Sequence, residues 1–109
     1  MIYKENLPEC PVATTIHLLG SKWKLLILRN LLDRPYRFNE LQKSLNGISH
    51  KVLIDSLKSM IEDGIIERID YNEKPPHVEY SLTPLGKSMK SIIKSMEEWG
   101  IYYKSVIKK

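Results

Sequence analysis

The chain has one cysteine, Cys10. That excludes an internal disulfide framework and leaves no CxxC pair for a structural zinc. His17, His50 and His77 lie far apart, with no second ligand at helical spacing, so no metal is expected. Phosphate-cradling glycine patterns of the GxGxxG or GxxxxGKS kind are missing. Ser49 stands beside His50, but adjacency in sequence does not put a base on a nucleophile. The acid pairs Glu62-Asp63 and Glu97-Glu98 read most simply as solvated. No catalytic constellation remains, and no cofactor is expected. No apolar run reaches the ~18 residues of a membrane span, and the opening MIYKENLPEC lacks a signal-peptide core. The expectation is a cytoplasmic protein with no membrane partner. Internal repeats, low-complexity tracts and long linkers are absent as well.

What is present is ordinary for a folded domain: 109 residues, 42% hydrophobic and 28% charged, enough for one core and too few for two. The net charge of +4 and a pI near 9.2 point weakly to an anionic partner. Its distribution says more. Residues 20–43 hold six cations against two acids, and residues 84–109 repeat that balance, whereas residues 49–77 hold four cations against six acids.

Local signals divide the chain into elements. Pro11 suits the first turn of a helix, with Cys10 as its N-cap and Val12, Ile16 and Leu19 as its apolar stripe. Ser21 caps KWKLLILRNLLD, which is apolar enough to be central and buried nearly all round. RPYRF is Pro-interrupted and leaves room for one small strand. Asn39, with Gln42 three residues on, reads as the capping box of a third helix, ELQKSLN. Gly47 suits a tight turn, Ser49 an N-cap and Gly64 a C′ glycine, so residues 49–63 form a fourth helix. Leu53, Leu57, Met60 and Ile61 give it one apolar stripe.

IIERIDY and HVEYSLT then form a hairpin around NEKPP, since Pro75 and Pro76 cannot donate to a ladder. Thr83 caps and Pro84 opens a long last helix in which Met89, Ile92, Met96, Trp99, Tyr103 and Val106 alternate spacings of three and four. So long a stripe suits packing against a second copy. The whole predicts a mainly α (α+β) fold, a winged helix-turn-helix with a two-stranded β-hairpin wing and a long C-terminal dimerisation helix.

The blocks CPV, GSKWKLLILRNLL, RFNELQKSLNGIS, VLIDSLKSMIEDGIIER, PPHVEYSLTPLGKSM and EEWG, in that order from Cys10 to about Gly100, resemble the HxlR family of bacterial transcription regulators, relatives of MarR proteins. The resemblance implies a homodimer that binds operator DNA next to the genes it controls, typically for stress, detoxification or metabolic responses, and acts as a repressor. It puts the recognition helix on Ser49 to Asp63, the wing on Asn72 to His77, and the family's Arg-Phe pair on Arg37-Phe38. Some relatives sense oxidants or electrophiles through an N-terminal cysteine, and Cys10 matches that position. The chain departs from the family's pattern at Ser21, where a glycine is more usual, and the wing carries Glu73 beside its single clear cation, Lys74.

The DNA-binding candidates are Arg37, Ser49, His50, Lys51, Ile54, Asp55, Lys58 and Lys74. His50, Lys51 and Asp55 suit base edges, Ile54 a thymine methyl, and Ser49, Lys58 and Arg37 phosphates. Further backbone charge is expected from Lys22, Lys24 and Lys43. The dimer candidates are Val12, Ile16, Leu19, Met96, Trp99, Tyr103 and Val106, and Cys10 is the candidate redox sensor. A small-molecule or oxidant effector is compatible with this reading. Two rivals stand beside it: a winged-helix module that binds protein instead of DNA, which the acidic balance of residues 49–77 would fit, and a thiol enzyme, for which no resolving cysteine or base is visible.

Overall fold

Residues 4–107 are described by the computed structural model; residues 1–3, which begin the MIYKENLPEC stretch, and 108–109, two of the C-terminal lysines counted above, lie outside the described residues. After a short 3-10 turn at Lys4–Asn6, the order is α1 (Pro11–Leu19), α2 (Lys22–Asp33), α3 (Phe38–Ser44), α4 (His50–Glu62), β1 (Ile66–Asp70), β2 (Val78–Leu82), α5 (Pro84–Lys87) and α6 (Lys90–Ile107). This is the expected winged helix. β1 and β2 pair antiparallel, from Ile66 opposite Leu82 to Asp70 opposite Val78. The small strand expected in RPYRF is one bridge, in which Tyr36 and Tyr80 exchange both backbone hydrogen bonds at 3.1 and 2.8 Å.

Helix starts follow the hydroxyl caps. Ser21 accepts from the Lys24 N–H, Ser49 from the Val52 N–H and Thr83 from the Gly86 N–H, each at 3.1 Å. Cys10 holds the N-cap position of α1, but its sulfur makes no capping bond. The third helix departs from expectation. It begins at Phe38, one residue before Asn39, and the reaching acceptor is Glu40, whose carboxylate takes the Arg37 N–H at 2.8 Å. That bond holds the Glu40 carboxyl below its usual range, helped by Arg34. α4 ends in a Schellman arrangement: Gly64, at φ 77°, donates to Ile61, while buried Ile65 donates back to Met60 at 2.9 Å.

The core is one cluster in which Ile27, Leu28, Leu41, Leu45, Leu53, Leu57, Met60, Ile66 and Leu82 are buried. α2 is less enclosed than its composition suggested. Ile27, Leu28 and Leu31 are fully covered, but Leu25 and Leu26 only half, because that side faces a shallow groove shared with Ile93 and Met96 of α6. Buried Asn30 donates to Ser44 at 2.7 Å and accepts from Arg29, which ties α2 to α3 without an orphaned polar atom.

Two further expectations are corrected. Leu19 is only 4% exposed, inside this core, so it has no surface to give a partner copy; Val12 and Ile16 of the same helix stay exposed. The last helix is not continuous from Pro84. Ser88 hydrogen-bonds back to Leu85 through its hydroxyl, Met89 donates to Gly86 over three residues, and the tightened turn separates α5 from α6. Met89 thereby turns toward the core with Ile93, and the exposed stripe begins only at Ile92. Among the described residues no helix is long and apolar enough to cross a membrane.

Candidate nucleic-acid interface

α3, the Asn46-Gly47-Ile48 turn and α4 form the helix-turn-helix. Gly47 takes φ 92°, which an L side chain would resist, and Ile48 is buried beneath the turn. Leu53, Leu57 and Met60 fix one face of α4 on the core, so its opposite face is set by helical geometry alone. Ser49, His50, Lys51, Asp55 and Lys58 are all exposed there, and Ile54 is half-buried.

These side chains form two groups. Lys51 and Asp55 are joined by a 2.7 Å ion pair one turn apart, which raises the lysine's pKa and lowers the aspartate's. His50, Ile54 and Lys58 instead line a cleft of about 450 Å³ between α4 and the hairpin, whose other walls are Phe38, Arg68, Val78 and Tyr80. The Phe38 and His50 rings meet at 5.0 Å across its mouth. Lys58 and Arg68 form no ion pair among the described residues. Arg68 was not among the sequence candidates. Its register partner is Tyr80, and only the hairpin pairing brings it to the side of α4.

The wing tip forms a second groove. Lys74 lies there with Glu73, Pro75, Pro76 and His77, and Arg37 faces them from the residue before α3. Arg37 and Lys74, 37 residues apart in number, are thus brought to one surface. His77 is the hub of the tip. Its Nδ1 lies 2.8 Å from a Glu73 carboxylate oxygen and its Nε2 3.1 Å from Glu79. The other Glu79 oxygen accepts from the Tyr71 hydroxyl at 3.1 Å, and the Tyr71 and His77 rings lie 4.4 Å apart. The bonds to Glu79 and Glu73 raise the His77 pKa above its ordinary value, the bond from His77 lowers that of Glu79, and the Glu79 carboxylate raises that of Tyr71. Asn72, at φ 53°, closes the turn by donating its N–H to Asp70 at 2.9 Å.

Two of the expected backbone cations are committed elsewhere. Lys24 donates its ammonium to Ser59 at 2.8 Å and lies within reach of the Leu18 carbonyl, pinning α1, α2 and the far end of α4 together. Lys22 lies over the Trp23 ring at 4.5 Å. Lys43 stays exposed on α3.

A helix-turn-helix with a hairpin at its side narrows the choice of family, and residues 18–108 match the model described as HxlR-like helix-turn-helix. The chain belongs to this HxlR-like family. Over 105 residues it is 42% identical to the uncharacterized HTH-type transcriptional regulator YdeP of Bacillus subtilis (strain 168), covering 96% of this chain and 82% of that protein. Among solved structures, a chain described as a MarR-family transcriptional regulator of Porphyromonas gingivalis W83 superposes with a TM-score of 0.81 at 42% identity, covering 93% of this chain and 96% of that one. The oxidized form of the redox regulator HypR superposes equally well, 0.81, at 38% identity over 85% of this chain and 96% of that one. This HxlR-like protein is accordingly a transcriptional regulator with a helix-turn-helix domain, and not an enzyme. Its α6 exposes more apolar surface than the expected seam of Met96, Trp99, Tyr103 and Val106, since Ile101, Tyr102 and Ile107 are also open. Tyr102, three residues after Trp99, and Ile107, four after Tyr103, fit the helical spacing as well, whereas Ile101 falls off the seam.

Proposed function

We propose that the protein is a cytoplasmic homodimer that binds a near-palindromic operator and represses transcription, with α4 in the DNA major groove. The observation that carries this reading is the division of α4. Leu53, Leu57 and Met60 are locked in the core while Ser49, His50, Lys51, Asp55 and Lys58 stand clear of it. Helix-turn-helix units present their second helix to the groove N-terminal end first, and here that end holds His50 and Lys51. Lys58 with Arg68 on one side, and Arg37 with Lys74 on the other, supply charge for the phosphate backbone. This offsets the acidic count of residues 49–77, because Glu62 and Asp63 fall at the far end of α4, Asp55 is paired with Lys51 and Glu73 is bonded to His77.

Selection from a random duplex pool tests the reading. The expected product is a near-palindrome whose affinity falls linearly on a log-log plot against salt. Neither enrichment nor salt-dependent binding would leave a protein-interaction module as the function.

Redox control through Cys10 is a second reading, supported by the exposure of the thiol and by the likeness to HypR. Diamide is expected to release DNA from the wild type and not from Cys10→Ser. A Cys10→Ser protein that loses DNA with diamide as the wild type does would remove Cys10 from the response.

A further inference from the structure

His77 is placed between two carboxylates, with a ring nitrogen within 3.1 Å of an oxygen on each side. A neutral imidazole has one N–H, so it satisfies one of these contacts and turns a lone pair on the other. Only the imidazolium donates to both. The site is partly sheltered: the His77 side chain is 23% exposed and the Tyr71 ring lies tilted against it. The charged and titratable groups around it are Glu73 and Lys74 in the loop, Glu79 on β2, Tyr71 at the end of β1, and Arg37 ahead of α3.

The geometry points to a role for His77 as the positioning residue of the wing: its imidazolium neutralises Glu73 and Glu79 beside Arg37 and Lys74, so that proton loss from His77 weakens DNA binding. This rests on the DNA-binding reading above. With the proton in place, the wing tip holds two acids and three cations. Without it, one of the two carboxylates loses its donor and repels the phosphates that Arg37 and Lys74 would approach. The sign follows from the raised pKa of His77. The clamp is complete below the ordinary histidine value of 6.5 and is lost as the pH rises through the higher value of the folded wing.

The test is DNA affinity at pH 6 and pH 8.5, at fixed ionic strength, on the selected duplex, beside an NMR titration of the histidine ring protons in the free protein. The wild type is expected to bind roughly two- to fivefold more weakly at the higher pH, the scale of one partly screened charge near a phosphate. His77→Gln should be weak at both values, His77→Lys strong at both, and Glu73→Gln should recover affinity at pH 8.5. His50 is a second imidazole, on the exposed face of α4, so His50→Asn is measured in parallel, and the part of the slope that disappears in His77→Gln is the quantity read. A His77→Gln slope equal to that of the wild type, or a His77 midpoint at or below 6.5, would overturn the proposal. A high His77 midpoint in a protein that binds DNA at neither pH would overturn the DNA reading and the coupling with it, while leaving the clamp itself standing.

Discussion

At the scale of single residues, the face of α4 proposed to read DNA is partly occupied by its own bond. Lys51 and Asp55 hold each other at 2.7 Å, so engaging a base edge requires one of them to exchange an intrahelical partner for a nucleic-acid one. The exchange is cheap because the pair is exposed and such pairs contribute little in water. It also couples the two residues: removing either frees the other. Replacing Lys51 or Asp55 by Ala should therefore change preference at one defined operator position by roughly tenfold, and the double variant should not simply add the two changes. Arg37→Ala should lower affinity for all sequences alike and flatten the salt slope by about one. Competition binding against a panel of single-base operator variants reads all three. Wild-type preference in both the Lys51 and Asp55 variants would show that α4 is not the reader.

At the scale of elements, α4 is held in place by the Ser49 cap at one end, the Gly64 turn at the other and Leu53 in the middle. Ser49→Ala should cost about 1 kcal/mol of stability, and Leu53→Ala, at a site with no exposure, about 2–5 kcal/mol. Urea denaturation of each variant checks the order. Equal midpoints for the two would mean that the helix is not anchored through its apolar stripe. Elements of this kind were legible in the sequence because their determinants are local: Ser21, Ser49 and Thr83 each cap the turn that follows, and a period of three to four marks the buried face. The α3 start was misplaced because its acceptor does not sit at the cap. Arg37 has none to offer, and Glu40 reaches back instead. Lys24 passed for a phosphate ligand because its partner, Ser59, is 35 residues away and is reached only when α2 and α4 pack. The wing network escaped notice for the opposite reason. Glu73, His77 and Glu79 are close in sequence, but their spacing acquires meaning only once the loop folds Glu73 over the strand.

At the scale of the whole molecule, the question is what covers α6. None of its 18 residues is buried, and its outer turns carry Trp99 at 63% exposure and Tyr103 at 50%, stacked on each other at 5.3 Å. Met96, Tyr102, Val106 and Ile107 are exposed on the same helix, Ile101 on another side of it, and Val12 and Ile16 add apolar surface on α1. Exposed apolar surface on this scale points to an interface, since burying each large side chain is worth roughly 1.5–3 kcal/mol before association costs are counted. A second copy is the occupant that also suits a two-fold operator, because two α4 helices must be held about one DNA turn apart, roughly 34–36 Å, to read both half-sites. Neither Trp99 nor Tyr103 supports the core, so Trp99→Glu with Tyr103→Glu should leave the fold and its thermal unfolding intact while converting the protein to monomer. Because the second half-site then has to be bound independently, operator affinity should fall by roughly 10²–10⁴-fold, while affinity for an isolated half-site stays the same. Sedimentation equilibrium at micromolar concentration, run beside the binding titrations, separates the outcomes. A wild type that sediments as monomer would remove the dimer, and a double variant that stays dimeric would move the interface off α6.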